Sequence, residues 1–244
     1  MSHLFRDQGI IRENILEVIP NVYQMTFRGV NVLVIAEAEL TIIDTGFRAS
    51  VPKIVDFIHS LGRSPEEISL IIITHNHFDH AGGLSELRKL THAKVAAHKA
   101  DIYDVDGQLP YPQFVQKTLR VRPFSALRSF LGIGSHDVDI QLSGGEVLKP
   151  LGGLKVIHVP GHTPGSICLF SPQHKLLIVG DVLVKHSHTI HFPHKSASTN
   201  LPQAIRSVKR LVGLDFEIIC FGHGRPLMEN ARAKLQALVA RTED

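Results

Sequence analysis

The stretch that most narrows what this chain can become is Ile-Ser-Leu-Ile-Ile-Ile-Thr, residues 68–74. It is apolar almost without interruption and rich in β-branched side chains. It lacks the alternation of a strand that shows one face to water. Such a run needs cover on both faces, so it belongs inside a layered α/β domain. The next six residues, His75-Asn76-His77-Phe78-Asp79-His80, hold three histidines and an aspartate. A buried strand that ends in a polar loop can hold such side chains still.

The surrounding sequence supplies the other layers. Residues 21–27, 30–36 and 40–46 read as strands with tight connections, and 93–98 as another. Residues 50–62 read as a helix, with Ser50 as candidate N-cap, Pro52 in the first turn and Val51, Ile54, Val55 and Ile58 on one face. A short helix is expected at 83–90. Strands return at 154–159, 166–170, 175–180 and 216–221, with helices at 201–214 and 229–242. This strand-then-helix pattern occurs twice, around 21–98 and around 154–242. Two sheets packed face to face with helices outside would satisfy it, within one domain spanning residues 1–244. Residues 101–150 carry four prolines and several aromatics (Tyr103, Tyr111, Phe114, Phe124, Phe130). They read as an insertion or lid with one helix near 112–121.

Composition removes several classes of function. The 244 residues are 43% hydrophobic, enough for a sizeable core, and the formal net charge is only +3. No run of Lys and Arg marks a nucleic-acid groove or a membrane-surface helix, so neither partner is expected. No apolar run approaches the roughly 20 residues of a membrane span. The first residues lack the apolar core of a signal peptide. Cys168 and Cys220 lie in apolar, strand-like stretches and read as small buried side chains in a reducing compartment. A cytoplasmic protein acting on a small molecule is the expectation, with homodimer formation left open.

Sixteen histidines are many for this length, and their placement decides their meaning. If 75–80 leave a strand as a tight loop, His75, His77, Asp79 and His80 converge on a small volume. Such a cluster is costly to desolvate unless paired or bound to metal. Three more ligand-type residues stand just past apolar strands, each beside glycine: His162, Asp181 and His223. Imidazole and carboxylate without thiolate suit Zn, Fe, Mn or Co.

The text Thr-His-Asn-His-Phe-Asp-His resembles the HxHxDH signature of the metallo-β-lactamase-fold hydrolase superfamily. The elements Pro-Gly-His-Thr-Pro-Gly-Ser, Gly-Asp and Gly-His-Gly follow in the matching order, and Thr-Ile-Ile-Asp-Thr-Gly, with Asp44, is also similar. The resemblance runs from about residue 21 to 227 and implies a four-layer αβ/βα sandwich with two mixed sheets. It implies two divalent metal ions at one edge, zinc foremost, with iron or manganese as alternatives. His75, His77 and His162 would hold the first, Asp79, His80 and His223 the second, and Asp181 would bridge them. Asp44 would order a ligand loop by hydrogen bonds or serve as a turn residue. The implied activity is hydrolysis by a hydroxide bridging two metals about 3.5–4 Å apart. Asp79 or a metal-bound water would pass the proton to the leaving group.

The branches of that superfamily differ just after Asp181, where this chain reads Val-Leu-Val-Lys-His-Ser-His-Thr-Ile-His-Phe-Pro-His-Lys. The glyoxalase II branch grips glutathione there with basic and tyrosine residues. This chain has Lys185 and no tyrosine. Acyl-homoserine-lactone lactonases carry a tyrosine three residues on, where this chain has Val184. Among His186, His188, His191 and His194, His188 is the candidate substitute acid or substrate contact, against the plainer reading of a solvated histidine-rich loop. His98 ends a strand and reads as supporting the site or as structural. Arg225 reads as a surface or capping residue, with an anionic substrate group as its alternative partner. The expected reaction is cleavage of a small ester, thioester or lactone. The alternatives are a single-iron oxidoreductase like the persulfide dioxygenases and, less favoured, a phosphodiesterase or nuclease.

Overall fold

The computed structural model describes residues 14–102, 137–187 and 189–242. Among them, seven strands form one sheet in chain order: β1 (Ile15–Ile19), β2 (Val22–Phe27), β3 (Val30–Ala36), β4 (Leu40–Ile43), β5 (Ile68–Ile73), β6 (Lys94–His98) and β7 (Ile140–Leu142). The first four pair antiparallel, as short connections allow. From β4 to β7 the pairing is parallel, which requires crossovers. Helix α1 (Val51–Ser60) joins β4 to β5, and α2 (Phe78–Ala81) with α3 (Leu84–Leu90) leads from β5 to β6.

Five further strands form the second sheet: β8 (Val147–Leu148), β9 (Leu154–His158), β10 (Ile167–Ser171), β11 (Leu176–Ile178) and, after a separate hairpin of β12 (Val184–His186) and β13 (Thr189–His191), β14 (Ile218–Cys220). Their spatial order is β14-β11-β10-β9-β8, with the β11–β14 pair parallel and the rest antiparallel. Helices α4 (Leu201–Lys209) and α5 (Ala231–Ala240) belong to this half.

Three apolar clusters cement four layers. Met25, Val32, Ile54, Ile58, Ile71 and Leu87 pack the first sheet on its helices. Leu33, Ile35, Ile43, Ile72, Leu169 and Ile178 fill the space between the sheets. Cys168, Phe170, Leu177, Phe216 and Leu235 pack the second sheet against its outer helices. The period of two along a strand sends Ile71 and Ile73 to one cluster and Ile72 to the other. That is why residues 71–73 are uniformly apolar. The architecture is the αβ/βα sandwich of two mixed sheets anticipated from the sequence.

Several details differ from expectation. Strand β1 and the β12–β13 hairpin were not anticipated; His186 and His191 of the histidine-rich segment lie on that hairpin, with Ser187 at φ +52°, and His194 caps the 3-10 turn beyond it. Helix α4 gives way after Lys209 to a 3-10 turn, Arg210–Gly213. Ser50 precedes α1, but its backbone is already helical and its side chain makes no capping bond. Cys168 and Cys220 are free and buried in the packed sheets. The expected lid at 101–150, including the helix near 112–121 and the five aromatics, falls mostly on residues 103–136, outside the described residues. Its described end supplies β7 and β8, one edge strand to each sheet. No described helix is long and apolar enough to cross a membrane.

Candidate metal centre

One edge of the sandwich gathers the loops that leave β4, β5, β9, β11 and β14. Backbone bonds lock these loops to one another. Ile167 N–H donates to Thr74 O across the sheets (2.9 Å), Asn31 N–H donates to Gly222 O (2.8 Å), and Gly222 N–H donates to Gly180 O (2.7 Å). The Asn31 side-chain amide donates to the carbonyls of Phe221 (2.9 Å) and Gly224 (2.7 Å), fixing the turn that carries His223.

The seven residues singled out as metal ligands meet here. Ring nitrogens of His75, His77 and His162 lie within 4.8 Å of one another, as do ligand atoms of Asp79, His80 and His223. Asp181 stands between the two groups. Its Oδ2 is 3.9 Å from His75 Nε2, 3.7 Å from His162 Nε2 and 3.1 Å from His223 Nε2, and its Oδ1 is 3.5 Å from His80 Nε2. Within the clusters, His162 Nε2 lies 3.1 Å from His77 Nδ1, and Asp79 Oδ2 lies 3.5 Å from His223 Nε2 and 3.8 Å from His80 Nε2. Ligands at about 2.0–2.1 Å from a tetrahedral ion are separated by roughly 3.3–3.4 Å. The observed spacings scatter around that edge length.

The outer ring nitrogens fix which atom faces inward. His80 Nδ1–H donates to Asp44 Oδ2 (2.9 Å), and His223 Nδ1–H donates to the Gly29 carbonyl (3.0 Å). Thr74 Oγ1 donates to Asp44 Oδ2 (2.7 Å), which leaves its oxygen to accept from His75 Nδ1–H at 3.1 Å. Each of these rings then turns Nε2 toward the shared space, as ligand histidines do when their other nitrogen is engaged. His75 Nε2, His80 Nε2 and Asp181 Oδ1 are buried without a hydrogen-bond partner. Orphaned polar atoms at such depth are costly, and a cation would satisfy all three. The residues present therefore fit a divalent metal site.

Electrostatics point the same way. Burial, reinforced by neighbouring imidazoles, holds His75 well below the usual histidine range and His162 at about 3, so both rings are neutral and available as donors. Burial also opposes a charge on His80, but Asp181 and Asp44 together outweigh it and hold this ring well above the usual range. Asp181 mirrors this: burial favours its neutral form, yet His80, His223 and His75 keep it strongly acidic. The two carboxylates demand positive charge at this point, which a proton or a metal ion can meet.

Asp44 is more than a turn residue. It accepts from Thr74 N–H (2.8 Å) and Thr74 Oγ1 as well as from His80, and so ties the end of β5 to the last histidine of the motif beyond it. Its backbone takes φ +58°, which this tight placement requires. His98 does not reach the cluster: it accepts from Ala100 N–H and stacks on His158 at 3.8 Å. Lys185 Nζ donates to the carbonyls of Arg225 and Pro226, bracing the turn beyond His223. His188 lies outside the described residues. Asp101, which carried no weight in the sequence, is buried between two of the ligand loops. No motif marked it, because its partners are 25 and 62 residues away.

Comparison with known proteins gives a consistent picture. The family model described as "Metallo-beta-lactamase superfamily" matches residues 25–223. The chain is similar to the probable metallo-hydrolase YflN of Bacillus subtilis, 29% identical over 82% of this chain and 81% of that one. It is also similar to the acyl-coenzyme A thioesterase MBLAC2 of Gallus gallus, 32% identical over 63% of this chain and 53% of that one. Among solved structures, a metallo-beta-lactamase family protein from Thermus thermophilus superposes with a TM-score of 0.69 at 22% identity, covering 93% of this chain and 81% of that chain.

Gly222 gives a direct test of the site's packing. A Cβ there would collide with Asp181 Oδ1 and lie 2.7 Å from His80 Cε1. Gly222→Ala is expected to weaken divalent-metal retention at least about tenfold, the lower cost of disturbing a ligand's support, while the far-UV circular dichroism stays that of the parent. Unchanged metal content after dialysis would contradict the packing described.

Proposed function

We propose that this chain, which belongs to the metallo-beta-lactamase superfamily, is a dinuclear metallohydrolase that cleaves a small ester, thioester or lactone. In this reading His75, His77 and His162 hold one divalent ion, zinc foremost, Asp79, His80 and His223 hold the other, and Asp181 is shared. The observation that carries it is the Asp181 carboxylate itself, which lies within 3.9 Å of four imidazole nitrogens drawn from both groups. Bound there, two divalent ions would supply hydroxide near neutral pH and polarise the oxygen of the scissile carbonyl.

The chain's own residues contribute direction and proton transfer. The side chains of His75 and His80 are sealed from solvent (1% and 0%), whereas Asp79 is 19% and His223 37% exposed. Substrate therefore approaches from the Asp79 and His223 side. Asp79 is the carboxylate most open to that approach and is assigned to carry the proton to the leaving group. Phe78, between His77 and Asp79 in the chain, is 48% exposed and lies 5.7 Å from Phe47, ring centre to ring centre. An exposed Phe78 backed by the half-buried Phe47 next to the open face favours an apolar acyl group. The thioester option draws further support from the relative named as an acyl-coenzyme A thioesterase. Glutathione is disfavoured as carrier, since no tyrosine follows Asp181 before residue 195 and Lys185 is occupied by backbone carbonyls.

The test is hydrolysis of a panel of aryl esters, acyl thioesters, lactones and an aryl phosphodiester by metal-quantified protein. The expected result is turnover of a carboxylic substrate with near two zinc ions per chain. Asp181→Ala should lower kcat/KM by more than about 100-fold, beyond the cost of losing an outer partner. Phosphodiester preference would move the protein to the nuclease side. One iron per chain with sulfur-dependent oxygen uptake would replace hydrolysis by the oxidoreductase reading. Activity that survives loss of metal would overturn the site.

His188 is the proposed second acid or substrate contact, from its place in the histidine-rich segment after Asp181. His188→Ala is expected to lower kcat/KM with metal content unchanged. Parent-like kinetics on the best substrate would remove His188 from the mechanism.

A further inference from the structure

Asp101 is a buried carboxylate that the proposed reaction does not use. It ends the 3-10 turn Lys99–Asp101 that follows β6 and is 4% exposed, and no Lys or Arg pairs with it among the described residues. Neutral donors surround it instead. Its Oδ2 accepts from Asn76 N–H (3.0 Å) and Thr163 Oγ1–H (2.6 Å), and its Oδ1 accepts from Gly165 N–H (2.6 Å). Its own carbonyl accepts from the Asn76 side-chain amide (2.6 Å). Because the Thr163 hydroxyl gives its hydrogen to Asp101, its oxygen accepts from Ser166 Oγ–H at 2.7 Å, which fixes the turn from the other side. Burying a carboxylate without a cation is expensive, and three donated hydrogen bonds are what make it tolerable.

The partners define what this group does. Asn76 separates His75 from His77, and Thr163 follows His162. The first two histidines leave a strand of one sheet, and the third leaves a strand of the other. Asp101 belongs to the first sheet's side and reaches the loop of the second. Gly165 leaves the space for it: a Cβ there would lie 2.6–2.7 Å from Asp101 Cγ, Cβ and N. Asp44, by contrast, reaches His80 directly and makes no bond to the His162 loop.

We infer that Asp101 is the positioning residue of the His75–His77–His162 cluster, clamping two loops from different sheets so that His162 Nε2 and His77 Nδ1 face each other at 3.1 Å. It sets how tightly that cluster holds a divalent ion by fixing the His162 loop to the His75–His77 loop, whereas Asp44 acts on His80 directly and on His75 only through Thr74. This rests on the reading of the seven groups as a two-metal site.

The test is a competitive-chelator titration of zinc into the full chain, resolving two binding steps, alongside the melting temperature of the chelator-treated protein. Asp101→Asn puts an NH2 group against at least one of the N–H or O–H donors that the carboxylate accepts. It is expected to weaken one zinc step by about 10–100-fold, the range for groups that orient ligands, and to leave the other near the parent value. Thr163→Val removes one arm of the clamp at nearly constant volume and should weaken the same step to a smaller degree. Thr163→Ser keeps the hydroxyl and should restore it. The Thr163 pair gives the answer should Asp101→Asn fail to fold. Both zinc steps unchanged in Asp101→Asn or Thr163→Val, with only a lower melting temperature, would reduce Asp101 to a staple of the fold and overturn the inference. A parent chain that binds no zinc would instead remove the two-metal reading, and the inference with it.

Discussion

The Asp181 carboxylate, held charged among buried imidazoles at the seam of two sheets, is the constraint on which the rest of this structure turns. Alone, a carboxylate at that depth would take up a proton, because burial favours its neutral form. His80 and His223 oppose this, and His80 is in turn held well above the usual range by Asp181 itself and by Asp44 behind it. The result is a compact set of donors in which charge is balanced only when something positive sits among them. A protein has few reasons to hold seven such groups in one place, and metal binding answers all of them.

The fold is what makes that set geometrically possible. No single element could bring these groups together, since they are spread from residue 75 to residue 223. Two sheets sharing one apolar interior align strand ends along a common edge, and the ends of β5, β9, β11 and β14 deliver the ligand-type residues there. Strand β5 is packed on both faces, so the loop it launches has a rigid base. The cross-sheet bonds from Ile167 to Thr74 and from Asn31 to Gly222 then fix the two halves at the level of the site itself.

Much of this was legible in the chain. The unbroken apolar run at 68–74 announced a strand between two layers, and the histidines beyond it announced the site, because both are local patterns. Glycine or tight turns beside His162, Asp181 and His223 carried the same message at a distance. What sequence could not display were pairings with no local signature. Asp101 looks like any aspartate after a strand until Asn76 and Thr163 are seen around it. The bonds that choose each histidine's inward nitrogen, such as His223 to the Gly29 carbonyl, join positions 194 residues apart. Ser50 shows the opposite case: a plausible N-cap by type, it is already helical, so its hydroxyl is not positioned to cap. The β12–β13 hairpin escaped notice because two three-residue strands leave too little alternation to read.

Two divalent ions are proposed to share Asp181 between the two histidine clusters. Crystals grown with zinc and measured across the zinc absorption edge test this most directly. Two anomalous peaks about 3.5–4 Å apart are expected, one among His75, His77 and His162, the other among Asp79, His80 and His223, with Asp181 touching both. A single peak, or peaks away from Asp181, would contradict the proposal.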